Sequence, residues 1–131
     1  MTAHELEIIL TRQWADSLSI PVFLTDVEGN LIFYNAPAEE ILGKRFEDTG
    51  EMKVGEWSTM FTPKHEDGKE MDPNMLPLVR TLNTRKPAHG SFWIDSLNGE
   101  RYFLNVTSFP IIGMSGGCLG AVAIFWINQD V

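Results

Sequence analysis

Few side chains in this sequence are of the kinds that do chemistry. Three histidines (His4, His65 and His89) and one cysteine, Cys118, are scattered through 131 residues. No His-Glu-x-x-His or Cys-x-x-Cys spacing sets two metal ligands side by side. No phosphate-cradling glycine loop is present, and Gly116-Gly117, between two apolar runs, reads as hairpin backbone. Glu39-Glu40 and Glu66-Asp67 are adjacent in sequence, so each pair reads as part of a solvated helix or loop face. A single cysteine forms no internal disulfide. Catalysis therefore has no candidate residue, a metal site is not expected, and the chain reads as a binding module and not an enzyme.

What the sequence has in quantity is apolar side chains able to form an interior: Phe23, Met60, Met75, Val79, Phe92, Ile94, Leu104 and Val106. One reading is a packed core without a guest. The other is a pocket for an apolar or weakly polar small molecule, such as a fatty acid or aromatic metabolite, to which methionine and phenylalanine adapt. Thr25 and Ser108, expected to point inward from their strands, would supply its few polar contacts.

The elements that must position these residues follow from periodicity and turn chemistry. Residues Ala3 to Leu18 read as an amphipathic helix, with Leu6, Ile9, Leu10, Trp14 and Leu18 at three- and four-residue spacing. Thr2 and Glu5 fit a capping box. After Pro21, Val22 to Thr25 and Leu31 to Tyr34 are short strands joined by a turn at Gly29-Asn30. Asn35 caps a short helix that Gly43 ends. Residues 44–72 show no clear period. A helix is expected from Pro73, capped by Asp72, through Asn83, with Arg80, Arg85 and Lys86 near its cation-favouring end. The last third reads as three strands: Ser91 to Ser96, Glu100 to Ile111 and Cys118 to Ile127, the first two joined by the hairpin pair Asn98-Gly99.

Length and composition allow one globular domain with a core of its own. Eighteen acidic against ten basic residues, a net charge of -8, disfavour binding to a phosphate backbone. The longest strongly apolar stretch, Leu119 to Ile127, is far short of the ~20 residues of a membrane helix, and the first residues lack the pattern of a signal peptide. No nucleic acid or membrane partner is expected, and the cytoplasm is the expected location.

The ordered set of corner residues resembles the PAS family. Val22 to Thr25, then Asp26-Val27-Glu28-Gly29, Leu31 to Tyr34, Asn35, and Ile41-Leu42-Gly43 match the family's first half. Asp72-Pro73 at the start of the long helix, Asn98-Gly99, Pro110-Ile111 and Gly120-Ala121-Val122 match its second. The likeness covers residues 20–128. It implies an α+β fold: a five-stranded antiparallel sheet with helices over one face and an N-terminal helix on or near the other. Residues 1–19 would form that helix, as a lid or dimerisation element, and residues 20–131 the PAS domain. The family often ends in an Asp-Ile-Thr-like junction. Here the chain reads Trp126-Ile127-Asn128-Gln129-Asp130-Val131, so the reading is a free-standing sensory module or one whose output surface lies elsewhere.

The resemblance also bears on cofactors, and none is expected. Flavin-binding, light-sensing relatives anchor the ring with two asparagines, where this sequence places Ile94 and Leu104, and no cysteine stands near Trp57-Ser58-Thr59-Met60-Phe61. Losing two amide partners costs ~1–3 kcal/mol for each unpaired group. Haem-binding relatives carry an axial histidine on the long helix, and residues 73–84 contain none. The photoactive-yellow type needs a pocket cysteine, whereas Cys118 opens the last strand. A haem or flavin sensor is thus the weakest alternative, and a ligand-free interaction module the strongest.

The strand over 101–109 is apolar on both faces, which a sheet face open to water should not be. Similar PAS domains commonly dimerise through the N-terminal helix and outer sheet face. A homodimer through Leu6, Leu10, Trp14, Phe103 and Trp126 is the expectation, the alternative being a monomer whose helix folds back on its own sheet. A signalling protein partner is expected to receive the output.

Overall fold

The computed structural model describes residues 3–129, with side chains described from Glu7 onward. The Thr2–Glu5 capping box and the Leu6 side chain lie outside that range. Helix α1 (Ala3–Asp16) leads into β1 (Val22–Asp26) and β2 (Leu31–Tyr34). Three short helices follow: α2 (Ala36–Leu42), α3 (Phe46–Thr49) and α4 (Val54–Met60). A 3₁₀ turn (Pro73–Met75) precedes α5 (Pro77–Thr84), and β3 (Ala88–Asp95), β4 (Arg101–Ile112) and β5 (Cys118–Ile127) complete one sheet. Its order is β2-β1-β5-β4-β3, with antiparallel neighbours throughout. This is the expected α+β architecture.

Alternation along each strand divides the apolar residues between two faces. Phe23, Phe92, Ile94, Leu104, Val106 and Phe125 face the helices and form the main core with Leu42, Trp57, Phe61 and Leu78. Val22, Leu24, Phe33 and Val122 face the other way, beneath Ala15 at the end of α1. The register that pairs Val106 with Phe125 and Leu104 with Ile127 settles the inward direction of Phe125.

Two local features lock the first half. The turn after β1 is tied by Asp26, whose Oδ1 accepts from the Glu28 and Asn30 amides at 3.0 and 2.9 Å. Gly43, at φ 79°, ends α2 so close to the β3–β4 hairpin that a Cβ would lie 2.4 Å from the Asn98 nitrogen. Only glycine suits both conditions.

The middle and the long helix depart from the sequence reading. Residues 44–72 contain two helical segments whose shortness hides any period. The single helix expected from Pro73 is split, because Pro77 forces Leu76 into an extended conformation (φ -62°, ψ 135°). α5 stops at Thr84, with Arg85 in the left-handed region at φ 61°. Among the described residues no helix is long and apolar enough to cross a membrane.

Candidate functional site

Between the inner sheet face and the helices lies a cavity of about 80 Å³. The sheet supplies Phe23, Phe92, Ile94, Leu104, Val106, Ala123 and Phe125, and the helical side Leu42, Trp57, Ser58, Phe61, Pro63, Leu76, Pro77 and Leu78. The wall is almost wholly apolar, and no lining residue carries a charge. Trp57 is oriented by its Nε1–H, which donates to the Gly29 carbonyl at 2.8 Å. Its ring meets Phe23 edge-on, with centroids 5.3 Å apart. Ser58, buried beside it, brings the wall's one side-chain hydroxyl, and among the described residues that hydroxyl makes no hydrogen bond.

Of the ten residues anticipated for this site, Phe23, Phe92, Ile94, Leu104 and Val106 line it. The other five do not. Met60 is exposed because the inward face of α4 is set by Trp57, and four residues on Phe61 takes the inward place. Met75 is exposed on the 3₁₀ turn, and the extended Leu76 enters the wall in its stead. Val79 is buried in the main core but outside the cavity wall, where Leu78 stands.

Thr25 and Ser108 do point inward and are fully buried, yet neither reaches the cavity. Ser108 Oγ and Thr81 Oγ1 share a hydrogen bond of 2.7 Å beneath α5. Thr25 Oγ1 is buried with no partner among the described residues. Ala123 and Phe125 were findable from strand alternation once the register of β5 was fixed. Pro63 sits in irregular backbone, where no periodic signal exists, while Leu76, just before α5, and Pro77, its first residue, fall where one continuous helix was expected.

Among the described residues, His65 and His89 stand apart from the wall. The His65 amide closes a turn by donating to the Lys69 carbonyl at 2.8 Å, and His89 Nδ1 lies 3.1 Å from Thr107 Oγ1 on the exposed outer face. Cys118 is half-buried at the start of β5, its sulfur 3.4 Å from Arg85 Nη1.

On the opposite sheet face, Leu10, Trp14 and Trp126 are exposed. Phe103 is a correction: it is buried in its own chain, with the Trp93 ring centroid 5.0 Å away, so it offers no surface to a second copy. A cleft between α1 and the sheet is lined by Leu10, Thr11, Trp14, Phe109, Ile111 and Val122. Thus α1 lies over the outer face without sealing it.

A sheet of this order, with a cavity between its inner face and short helices, defines an α+β domain with a sheltered apolar interior. The PAS fold family model matches residues 15–127, and the chain belongs to that family. No curated protein matches the sequence. Among solved structures it resembles the PAS domain of a protein from Colwellia psychrerythraea, with TM-score 0.66, 20% identity, and 95% of this chain and 99% of that one covered. It also resembles the Rhodobacter sphaeroides LOV protein at TM-score 0.70 and 13% identity, covering 93% of this chain and 67% of that one. The phage VqmA-DPO complex matches at TM-score 0.65 and 14% identity, covering 98% and 56%. At such identities the likeness is one of fold.

Proposed function

We propose that this domain is a sensor that takes a small, neutral, largely apolar molecule into the cavity and reports through a protein surface, without catalysis of its own. The observation that carries the reading is the uncharged apolar wall with a single unengaged hydroxyl, Ser58. Ile94 and Leu104 offer a ring system no amide anchors. A fatty acid fits less well than an aromatic metabolite, since no lining cation meets a carboxylate and an unpaired buried charge is heavily penalised. VqmA, of the same fold, is described as a complex with DPO.

Size refines the proposal. About 80 Å³ is less than the roughly 150 Å³ of an engineered apolar cavity that admits benzene. A one-ring guest must therefore displace part of the wall. The sheet side is held by continuous ladders, so the yielding side is the helical one, around Trp57, Phe61 and Pro63. Binding would thereby move the segment that Lys64 joins to Trp93 on β3. A second copy on the outer face, through Leu10, Trp14 and Trp126, belongs to the same proposal.

The test is denaturing extraction of freshly purified protein followed by mass spectrometry, with an absorption spectrum of the same sample. A recurrent neutral small molecule, absent from an Ala123→Leu variant whose larger side chain fills the cavity, is the expected result. Blank extracts from repeated preparations would leave the cavity as core and favour a ligand-free interaction module. A visible absorption band would instead show a bound chromophore and revive a flavin or haem as the guest.

A further inference from the structure

Away from the cavity, the free edge of β3 combines unpaired backbone with unneutralised positive charge. In a chain of eighteen acids and ten bases, residues 73–94 contain no Asp or Glu but include Arg80, Arg85 and Lys86. All three are exposed, and among the described residues none forms an ion pair with a carboxylate. Arg80 Nη1 reaches from α5 to the His89 carbonyl oxygen, 3.3 Å away at the start of β3. Lys86 lies two residues before the strand.

The direction of the edge groups follows from one bridge. The Trp93 amide donates to the Lys64 carbonyl at 2.8 Å, and the Lys64 amide donates to the Trp93 carbonyl at 3.0 Å. At Trp93, then, the backbone groups point away from β4. The β3–β4 register runs from Ala88 to Asp95 without a shift, so the two-residue period turns the backbone groups of Ser91 and His89 outward as well. The Asp95 amide is taken by the Phe61 carbonyl at 2.8 Å, and Lys64 fills the next place. At Ser91, no described residue takes the N–H or the C=O.

Gly90 lies between these positions, and a Cβ there would meet Pro77 Cγ at 3.1 Å, which sets the first turn of α5 against the inner side of the edge. Opposed residues of paired strands project to the same face. A residue placed opposite Gly90 by an added strand would therefore project toward α5 and Arg80.

We propose that this edge accepts an extended, acidic segment of a partner protein, added antiparallel to β3 in line with Lys64. Main-chain hydrogen bonds form at Ser91, and carboxylates at alternate positions of the segment meet Arg80 and Lys86. Backbone pairing supplies the register and the cations select the sequence. The proposal is independent of whether the cavity holds a ligand.

The probe is a short capped peptide of alternating valine and glutamate, titrated into the full chain and followed by fluorescence anisotropy and amide NMR. Saturable binding that shifts the Ser91 amide and weakens with added salt is expected. Arg80→Glu with Lys86→Glu should weaken it about tenfold or more. Ser91→Pro, tolerated at an edge whose N–H faces solvent, should abolish it. Absence of saturable binding, or binding unchanged in either variant, overturns the proposal. So does equal binding of a peptide N-methylated at alternate residues, or preference for an oligonucleotide, because either outcome reduces the edge to a bare polyanion site.

Discussion

Asn35 uses its whole hydrogen-bonding capacity inside the protein. Its Oδ1 accepts from the Val22 and Ala38 amides at 2.9 and 3.2 Å, while its Nδ2 donates to the Ala15 and Ile20 carbonyls at 2.9 and 2.8 Å. One buried side chain thus joins the end of α1, the start of β1 and the start of α2. Asn35→Ala would leave several of these groups unpaired and remove a helix cap, a loss of roughly 3–5 kcal/mol measurable by urea unfolding. Asn35→Asp keeps the cap but not the two donated bonds, and an unchanged unfolding midpoint for it would refute the tie between α1 and β1. Tyr34 makes a second residue-scale case. Burial, foremost, pushes its hydroxyl above the ordinary 10.0, with Glu39 and Asp48 adding to the rise and the Thr49 hydrogen bond opposing it. The folded state therefore holds this proton more tightly than the unfolded chain. Its contribution is fully present below pH 10 and falls as the pH rises through the folded value. Tyr34→Phe removes the bond to the Lys44 carbonyl, costing about 1 kcal/mol at neutral pH. The variant should then lose less stability than the parent as the pH is raised past 10.0, and parallel stability curves would contradict this.

The elements show where physical signals in the sequence are strong and where they fade. Every strand was legible in kind because apolar runs, Gly29-Asn30 and Asn98-Gly99 mark strands and hairpins independently, although β3 begins at Ala88 and not at the expected Ser91. The inward set Leu104, Val106 and Ser108 followed from one register, and the structure keeps it. The helical wall of the cavity was much less legible. Helices α3 and α4 are one or two turns long, too short for a 3.6-residue period to show, so Trp57 and Phe61 were visible only as aromatics in an irregular stretch. The break at Pro77 is written plainly in the sequence, yet the apolar spacing across it suggested one helix. The residue-before-proline effect prevailed and exchanged Leu76 for Met75 in the wall. The other end of α5 yields a prediction at the same scale. Arg85 caps the helix with φ 61°, its amide donating to the Thr81 carbonyl, a position that favours glycine. Arg85→Gly should raise stability by about 1 kcal/mol in thermal or urea unfolding. A loss instead would mean that the guanidinium's contact with Cys118, 3.4 Å away, outweighs the backbone relief.

At the scale of the whole molecule, charge and apolar surface pull in opposite directions. Each copy carries a net charge of -8, which resists self-association, while Leu10, Trp14 and Trp126 remain 54, 47 and 45% exposed on one face. The cleft beneath Leu10 and Trp14 reaches the sheet at Phe109, Ile111 and Val122. A partner side chain seated there would bury apolar area at roughly 25 cal/mol per Å². An isologous pairing of two such faces uses each patch twice, so a modest area per copy is doubled by symmetry. We therefore expect light scattering to rise with concentration from 14.8 kDa toward twice that mass. Added salt should strengthen the dimer, because screening removes the repulsion between two acidic copies and leaves the apolar term. The edge of β3 should behave oppositely, since pairing of Arg80 and Lys86 with an acidic segment weakens as salt is added. Trp14→Glu places a charge in the apolar contact at an already exposed position, so it should yield a folded monomer that still binds the acidic peptide. A mass fixed at 14.8 kDa for the parent protein at high concentration and high salt would remove the dimer. A dimer that survives Trp14→Glu would move the interface off α1. Salt that strengthens both associations would show that the acidic segment is held by apolar contact and not by the cations of α5.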